Sequence, residues 1–169
     1  HGHLDASASS LKERIAQRVK RLTLGKVSCV SEATQTSFIR AGYDPESITV
    51  IPNGVDLRRF KRASNKERRQ KKEALGLPPD APVVGFVGRL ECEMKGADDV
   101  LRGMSRLPDQ YHALVVGDGS DATMLQNLAE KLKLSNRIVW TGSVAEPAPL
   151  YHAMDVFGFG SHYEPFGLV

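Results

Sequence analysis

The chain has 169 residues, 41% of them hydrophobic and 25% charged, with a net charge of +3. That suits one globular domain or two small ones and excludes a disordered or low-complexity polymer. No apolar run reaches the length of a membrane span, and HGHLDASASS has no basic segment leading into an apolar core, so it is not a signal peptide.

With His rather than Met at its start, a cut or processed chain is expected. Two cysteines, Cys29 and Cys92, make no disulfide framework, which fits a reducing, cytoplasmic setting. The charge is uneven: between Arg58 and Glu73 nine basic residues stand against two acidic ones, so the remainder is net negative. Such a run suits an anionic membrane surface or nucleic acid as well as bulk water. It has no aromatic except Phe60 at its edge, so base stacking is poorly served and no specific nucleic-acid partner is expected. The plainest reading is a solvated basic helix, with peripheral membrane contact left open.

In chain order, Leu11, Ile15, Val19 and Leu22 share one face of a helix over about 9–24. Val27–Val30 reads as a strand. Ser31 is an N-cap for a helix to about Arg40, and Gly42 stops it. Ser47–Ile51 is a second strand, and Pro52-Asn53-Gly54 a turn. The basic run ends in GLPPD, a helix stop and a rigid connector.

From Pro82 strands and helices alternate. The expected strands are Val83–Val87, Ala113–Val116, Arg137–Trp140 and Val156–Phe159. The expected helices are Ala97–Leu107, Ala122–Leu132 and Ala148–Met154. This spacing implies right-handed βαβ units and a parallel, Rossmann-like α/β sheet. The chain stops on the first turn of a further helix, with Glu164 at its cap and Pro165 at its first position. Four strands without a closing helix leave apolar surface bare, so a piece of a larger protein is expected. The divisions are 1–55, an amino-terminal β-α-β remnant; 56–81, a basic linker or helix; and 82–169, a partial carboxyl-terminal domain.

The stretch VVGFVGRLECEMKG carries the chemistry. Gly88 and Arg89 follow a buried strand, and Lys95 comes one short loop later beside Gly96. Ligands of parallel sheets lie outside the carboxyl ends of the strands. Two fixed cations and a helix opening there suit a diphosphate, although Arg and Lys at a strand end are also ordinary surface charges. Gly117-Asp118-Gly119-Ser120-Asp121-Ala122 matches a dinucleotide fingerprint, but the next strand ends Val139-Trp140-Thr141-Gly142 with no ribose-binding acid. A glycine loop near the ligand mouth is the milder reading.

Glu164 suits sugar hydroxyls, or plain capping, and the N–H groups of Phe166, Gly167 and Leu168 suit an anion. His152 and His162 lack metal-ligand spacing, no Asp-x-Asp pair offers a metal-bridged diphosphate, and no Gly-x-Ser-x-Gly elbow occurs.

Taken in order, VSEA at 30–33, IPNGVD at 51–56 with Phe60, VGRLECEMKG at 87–96, VVGDG at 115–119, RIVWTG at 137–142 and SHYEPFGLV at 161–169 resemble the retaining group 1 (family four) glycosyltransferases of the GT-B fold. The resemblance implies an acceptor-side remnant up to about Val55 and a donor-binding domain from about Pro82. It implies that Arg89 and Lys95, with Gly88, bind the diphosphate of a nucleotide sugar, which is a substrate, with no cofactor and no metal. It implies that Glu164 touches the donor sugar, that Phe166, Gly167 and Leu168 hold phosphate or sugar through their backbone, and that Thr141, Gly142 and Ser143 lie near the base. His1, thirty residues before Ser31, matches an acceptor-side His. The second Glu of the family's E-x7-E motif falls beyond Val169. The implied reaction is hexosyl transfer to an unknown acceptor with retention. A non-catalytic nucleotide-binding module, or a basic surface binder, is the alternative.

Overall fold

The computed structural model describes residues 25–162 and Glu164. The expected helix over 9–24, His1, and the Phe166, Gly167 and Leu168 backbone lie outside the described residues. The chain forms two compact units that divide between Gly54 and Val55.

In the first unit, β1 (Val27–Cys29) and β2 (Ile48–Val50) pair in parallel, with Val27 opposite Ile48. Between them runs α1 (Glu32–Arg40). The Ser31 side chain accepts the Thr34 N–H at 3.2 Å, and Gly42 takes the left-handed conformation (φ 85°) just past the helix. The second strand starts later than expected because Asp44 caps a 3₁₀ turn at Pro45–Ser47.

The second unit is a four-stranded parallel sheet in the order β5-β4-β3-β6. Its elements are α2 (Asn65–Ala74), β3 (Val83–Val87), α3 (Cys92–Lys95), α4 (Ala97–Met104), β4 (His112–Val116), α5 (Ala122–Lys131), β5 (Ile138–Trp140), a 3₁₀ segment (Ala148–Ala153) and β6 (Val156–Phe157). Strands covered on both faces read as continuous apolar runs, as VVGFV and ALVV do. On one face Phe86, Ala113 and Val115 pack with Leu101 and Met104 of α4 and Leu125 and Ala129 of α5. On the other, Val83, Val87, Leu114 and Val116 pack with Leu77, Ala153 and Met154.

Several boundaries move. The helix expected to Leu107 ends at Met104, just ahead of Pro108. The one expected at 148–154 is 3₁₀, with proline in its first turn. β6 pairs with β3 only through Val156 and Phe157, where Gly158 and Gly160 follow. The loop expected between Arg89 and Lys95 holds α3, a single turn too short to show a period.

The basic run forms the expected helix, exposed along most of its length but docked along one edge. Ser64 and Glu67 form a capping box that opens α2. The helix then docks: Lys72 is 5% exposed, and its Nζ donates to Ala81 O and to Asp155 Oδ2, both at 2.7 Å. Arg68 Nη2 donates to Asp155 Oδ1 at 2.5 Å and to Met154 O at 3.0 Å. Asp155 also accepts the Val83 N–H at 2.8 Å, so one carboxylate joins α2 to the starts of β3 and β6. Arg69 pairs with Asp80, and Arg59 with Glu146 at 2.7 Å, so these cations are committed inside the unit. Among the described residues no helix is long and apolar enough to cross a membrane.

Candidate functional site

At the carboxyl ends of β3, β4 and β5 the loops continue the sheet by main-chain bonds. Val87 lies opposite Val116 in register, so Gly88 and Gly117 leave the sheet side by side. Gly88 N donates to Val116 O at 3.0 Å, Leu90 N to Asp118 O at 3.0 Å, and Gly117 N to Gly142 O at 2.9 Å. The approach leaves no room for side chains. A Cβ on Gly117 (φ 136°) would strike Gly88 O, and one on Gly119 would lie 2.6 Å from Leu90 O. The glycines of the fingerprint therefore serve contact between two loops of the protein.

A cleft of about 190 Å³ opens on this platform, lined by Val87, Gly88, Arg89, Val116, Gly117, Asp118, Ser143, Val144 and Pro147. Its walls are apolar, with one cation, one carboxylate and one hydroxyl. Arg89 is largely exposed, and its Nη1 lies 3.2 Å from Glu91 Oε1. Asp118 Oδ1 accepts the Gly119 N–H at 2.8 Å. Gly142 is left-handed (φ 67°), which turns the chain after β5 and sets Ser143 in the cleft wall. Thr141 Oγ1 donates to Gly142 O at 3.0 Å.

Lys95 and Glu164 are not in that lining; they meet each other. Lys95 Nζ lies 2.5 Å from Glu164 Oε2, with both side chains about one-fifth exposed. The strand order reverses between β3 and β6, and this pair stands where the chain leaves those two strands, at the switch point where such sheets bind ligands. Lys95 ends α3, and Gly96 (φ 58°) turns the chain straight into α4. The segment after β6 is tied to α3: Ser161 Oγ and His162 N both donate to Met94 O, at 3.0 and 3.1 Å. Gly96 and Gly160 touch main chain to main chain. Cys92 N donates to Asp121 Oδ2 at 2.8 Å, which holds the start of α3. Burial pushes the Cys92 thiol up to about 11, helped by the Asp98 and Asp121 carboxylates. Among the described residues no His, Cys, Asp and Glu side chains gather as a metal-ligand group.

Arg89, Gly88 and Ser143 thus share a cleft, Lys95 and Glu164 share an ion pair beside it, and Thr141 and Gly142 support the β5 loop. Sequence reasoning missed Asp118, Val144 and Pro147 in the lining and Glu91 on Arg89. Only the glycine loop gave a signal for Asp118.

Comparison with known proteins adds to this geometry. The family model described as "Glycosyl transferases group 1" matches residues 67–169, and "Glycosyltransferase Family 4" matches residues 1–59. The D-inositol 3-phosphate glycosyltransferase of Mycobacterium marinum is 36% identical over 150 residues, 85% of this chain and 31% of that protein. The Mycobacterium bovis protein of that name is 38% identical over 150 residues, covering 85% and 30%. Anabaena Alr3699/HepE, solved in complex with UDP, superposes with a TM-score of 0.84 at 29% identity, covering 98% of this chain and 46% of that one. Its complex with UDP and glucose gives 0.81 at 30% identity, covering 95% and 44%. The chain spans about a third of the length of these curated relatives and less than half of these solved chains.

Proposed function

This chain belongs to the group 1 glycosyl transferases, and from that membership we propose that it carries part of the donor site of a hexosyltransferase using a nucleotide diphosphate sugar. The observation that carries the reading is the cleft at the ends of the parallel strands, with Arg89 in its wall and the Lys95–Glu164 pair at the neighbouring switch point. The Alr3699/HepE complexes with UDP and with UDP-glucose support a ligand of this class.

In this reading the apolar walls and Ser143 receive the nucleoside, and Arg89 and Lys95 receive the diphosphate. The departing diphosphate gains charge as the glycosidic bond breaks. Cations already held in place stabilise that charge more in the transition state than in the ground state, and this lowers the barrier. Glu164 releases Lys95 to the phosphates and turns to hydroxyls of the sugar. Retention at the anomeric carbon, transfer without a metal ion, and an acceptor bound by the amino-terminal domain, with a boundary near 55–56, complete the proposal. His1 is the proposed acceptor-side imidazole, and Phe166, Gly167 and Leu168 the proposed backbone donors. No nucleophile is assigned.

Calorimetric titration of the 169-residue chain with UDP tests it. Weak binding is expected, falling about tenfold in Arg89→Ala and again in Lys95→Ala, because each loses a charge-assisted hydrogen bond. UDP affinity that ignores both substitutions would refute the reading. Affinity that collapses with salt yet ignores them would favour the basic surface instead.

A further inference from the structure

We propose that Glu91 is the resting counterion of Arg89 and that, by competing for it, Glu91 sets how tightly the cleft holds a diphosphate; the proposal rests on Arg89 being a diphosphate ligand. Glu91 occupies the N-cap position of α3, yet its side chain makes no capping hydrogen bond. Its carboxylate is turned to Arg89 instead, with Oε1 3.2 Å from Nη1. The main chain keeps the two together: Glu91 N donates to Arg89 O at 3.0 Å, and Lys95 N donates to Glu91 O at 2.8 Å. One residue is therefore tied to both cations of the proposed clamp. Lys95 is occupied in the same way by Glu164 at 2.5 Å. Both cations face carboxylates.

A diphosphate entering the cleft exchanges partners. The guanidinium gives up one carboxylate contact and takes phosphate oxygens in its fork. The displaced Glu91 carboxylate stays close to the new anion and repels it. Competition and repulsion both weaken binding. Orientation of Arg89 by Glu91 acts the other way, but the Arg89 side chain is 67% exposed and, among the described residues, held by one ion pair, so that effect is the smaller one. In a transferase the nucleoside diphosphate is also a product. A carboxylate that retakes Arg89 favours its departure.

The test is calorimetric titration of the 169-residue chain with UDP and, separately, with inorganic diphosphate. Glu91→Gln keeps the shape and the main-chain bonds and removes the charge. It is expected to tighten both ligands about three- to fivefold, the range open to an exposed ion pair. In an Arg89→Ala background the same substitution is expected to change affinity by less than half that gain. Unchanged or weaker binding in Glu91→Gln overturns the proposal, and so does a gain that persists in full without Arg89. An Arg89→Ala chain that binds UDP as well as the parent overturns the diphosphate reading of the cleft itself, which separates the two failures.

Discussion

Replacing Asp155 by alanine should destabilise the second unit by about 3 kcal/mol without touching the cleft. Asp155 holds the buried Lys72 ammonium at 2.7 Å, Arg68 at 2.5 Å and the Val83 N–H at 2.8 Å. Its loss leaves Lys72 buried with Ala81 O as its remaining acceptor among the described residues. Breaking a fully buried pair costs about 3–5 kcal/mol. The Asp155 side chain is one-third exposed, so water relieves part of this and the lower end applies. Arg68 is partly exposed and adds less than about 1 kcal/mol. For a unit of this size the melting temperature should fall by roughly 10–15 °C, read by circular dichroism.

Lys72→Met supplies the control. It removes the buried charge together with its pair and should cost less than half as much. The pH dependence has a fixed sign. Burial raises the Asp155 pKa, but the hydrogen bonds from Lys72, Val83 and Arg68 and the Lys72 charge outweigh it, so the carboxyl lies below its ordinary 3.8. Its stabilisation is present above that value and lost as pH falls through the folded pKa. The deficit of Asp155→Ala should therefore shrink in acid. A shift under about 3 °C at neutral pH, or equal losses in the two variants, would refute the reasoning.

Gly117→Ala should cost at least about 2 kcal/mol and reduce UDP binding, because its methyl meets Gly88 O at a left-handed φ. Gly103→Ala, in α4 with open space around it, should be neutral or stabilising by up to about 1 kcal/mol, and equal melting temperatures for the two would contradict this account. Cys92, with its thiol at about 11 against an ordinary 9.0, should alkylate at pH 8 on the order of a hundredfold more slowly than a free cysteine. Peptide mapping after iodoacetamide checks it, and alkylation at the rate of a free thiol would count against the partly buried placement beside Asp98 and Asp121.

The elements that were legible are those with a long period or a strong end signal. The runs at 83–87 and 113–116 are apolar throughout because both faces are covered, and Ser31 declares the helix after it. Those that were not legible depend on distant partners. Lys72 reads as one more solvated cation, since the partner that buries it lies 83 residues later. Turning Ala148–Ala153 into a 3₁₀ segment took two prolines whose effect on pitch composition does not express. In the candidate site, the motif singles out Arg89, Lys95 and Glu164 as residues. That Lys95 is occupied by Glu164, and Arg89 by Glu91, is a property of folded distances alone.

Gly96 and Gly160 meet main chain to main chain, with no side chain between them. The consequence is mechanical. Lys95 and the segment leading to Glu164 hang from a joint where two backbones touch, fastened by Ser161 Oγ and His162 N on Met94 O, so repacking the surrounding core has little leverage on their spacing. A single methyl group placed at the joint would act as a wedge. For a designer who wants to alter the ligand, the side chains around the mouth are the adjustable parts, and this joint is the fixed datum from which they are measured.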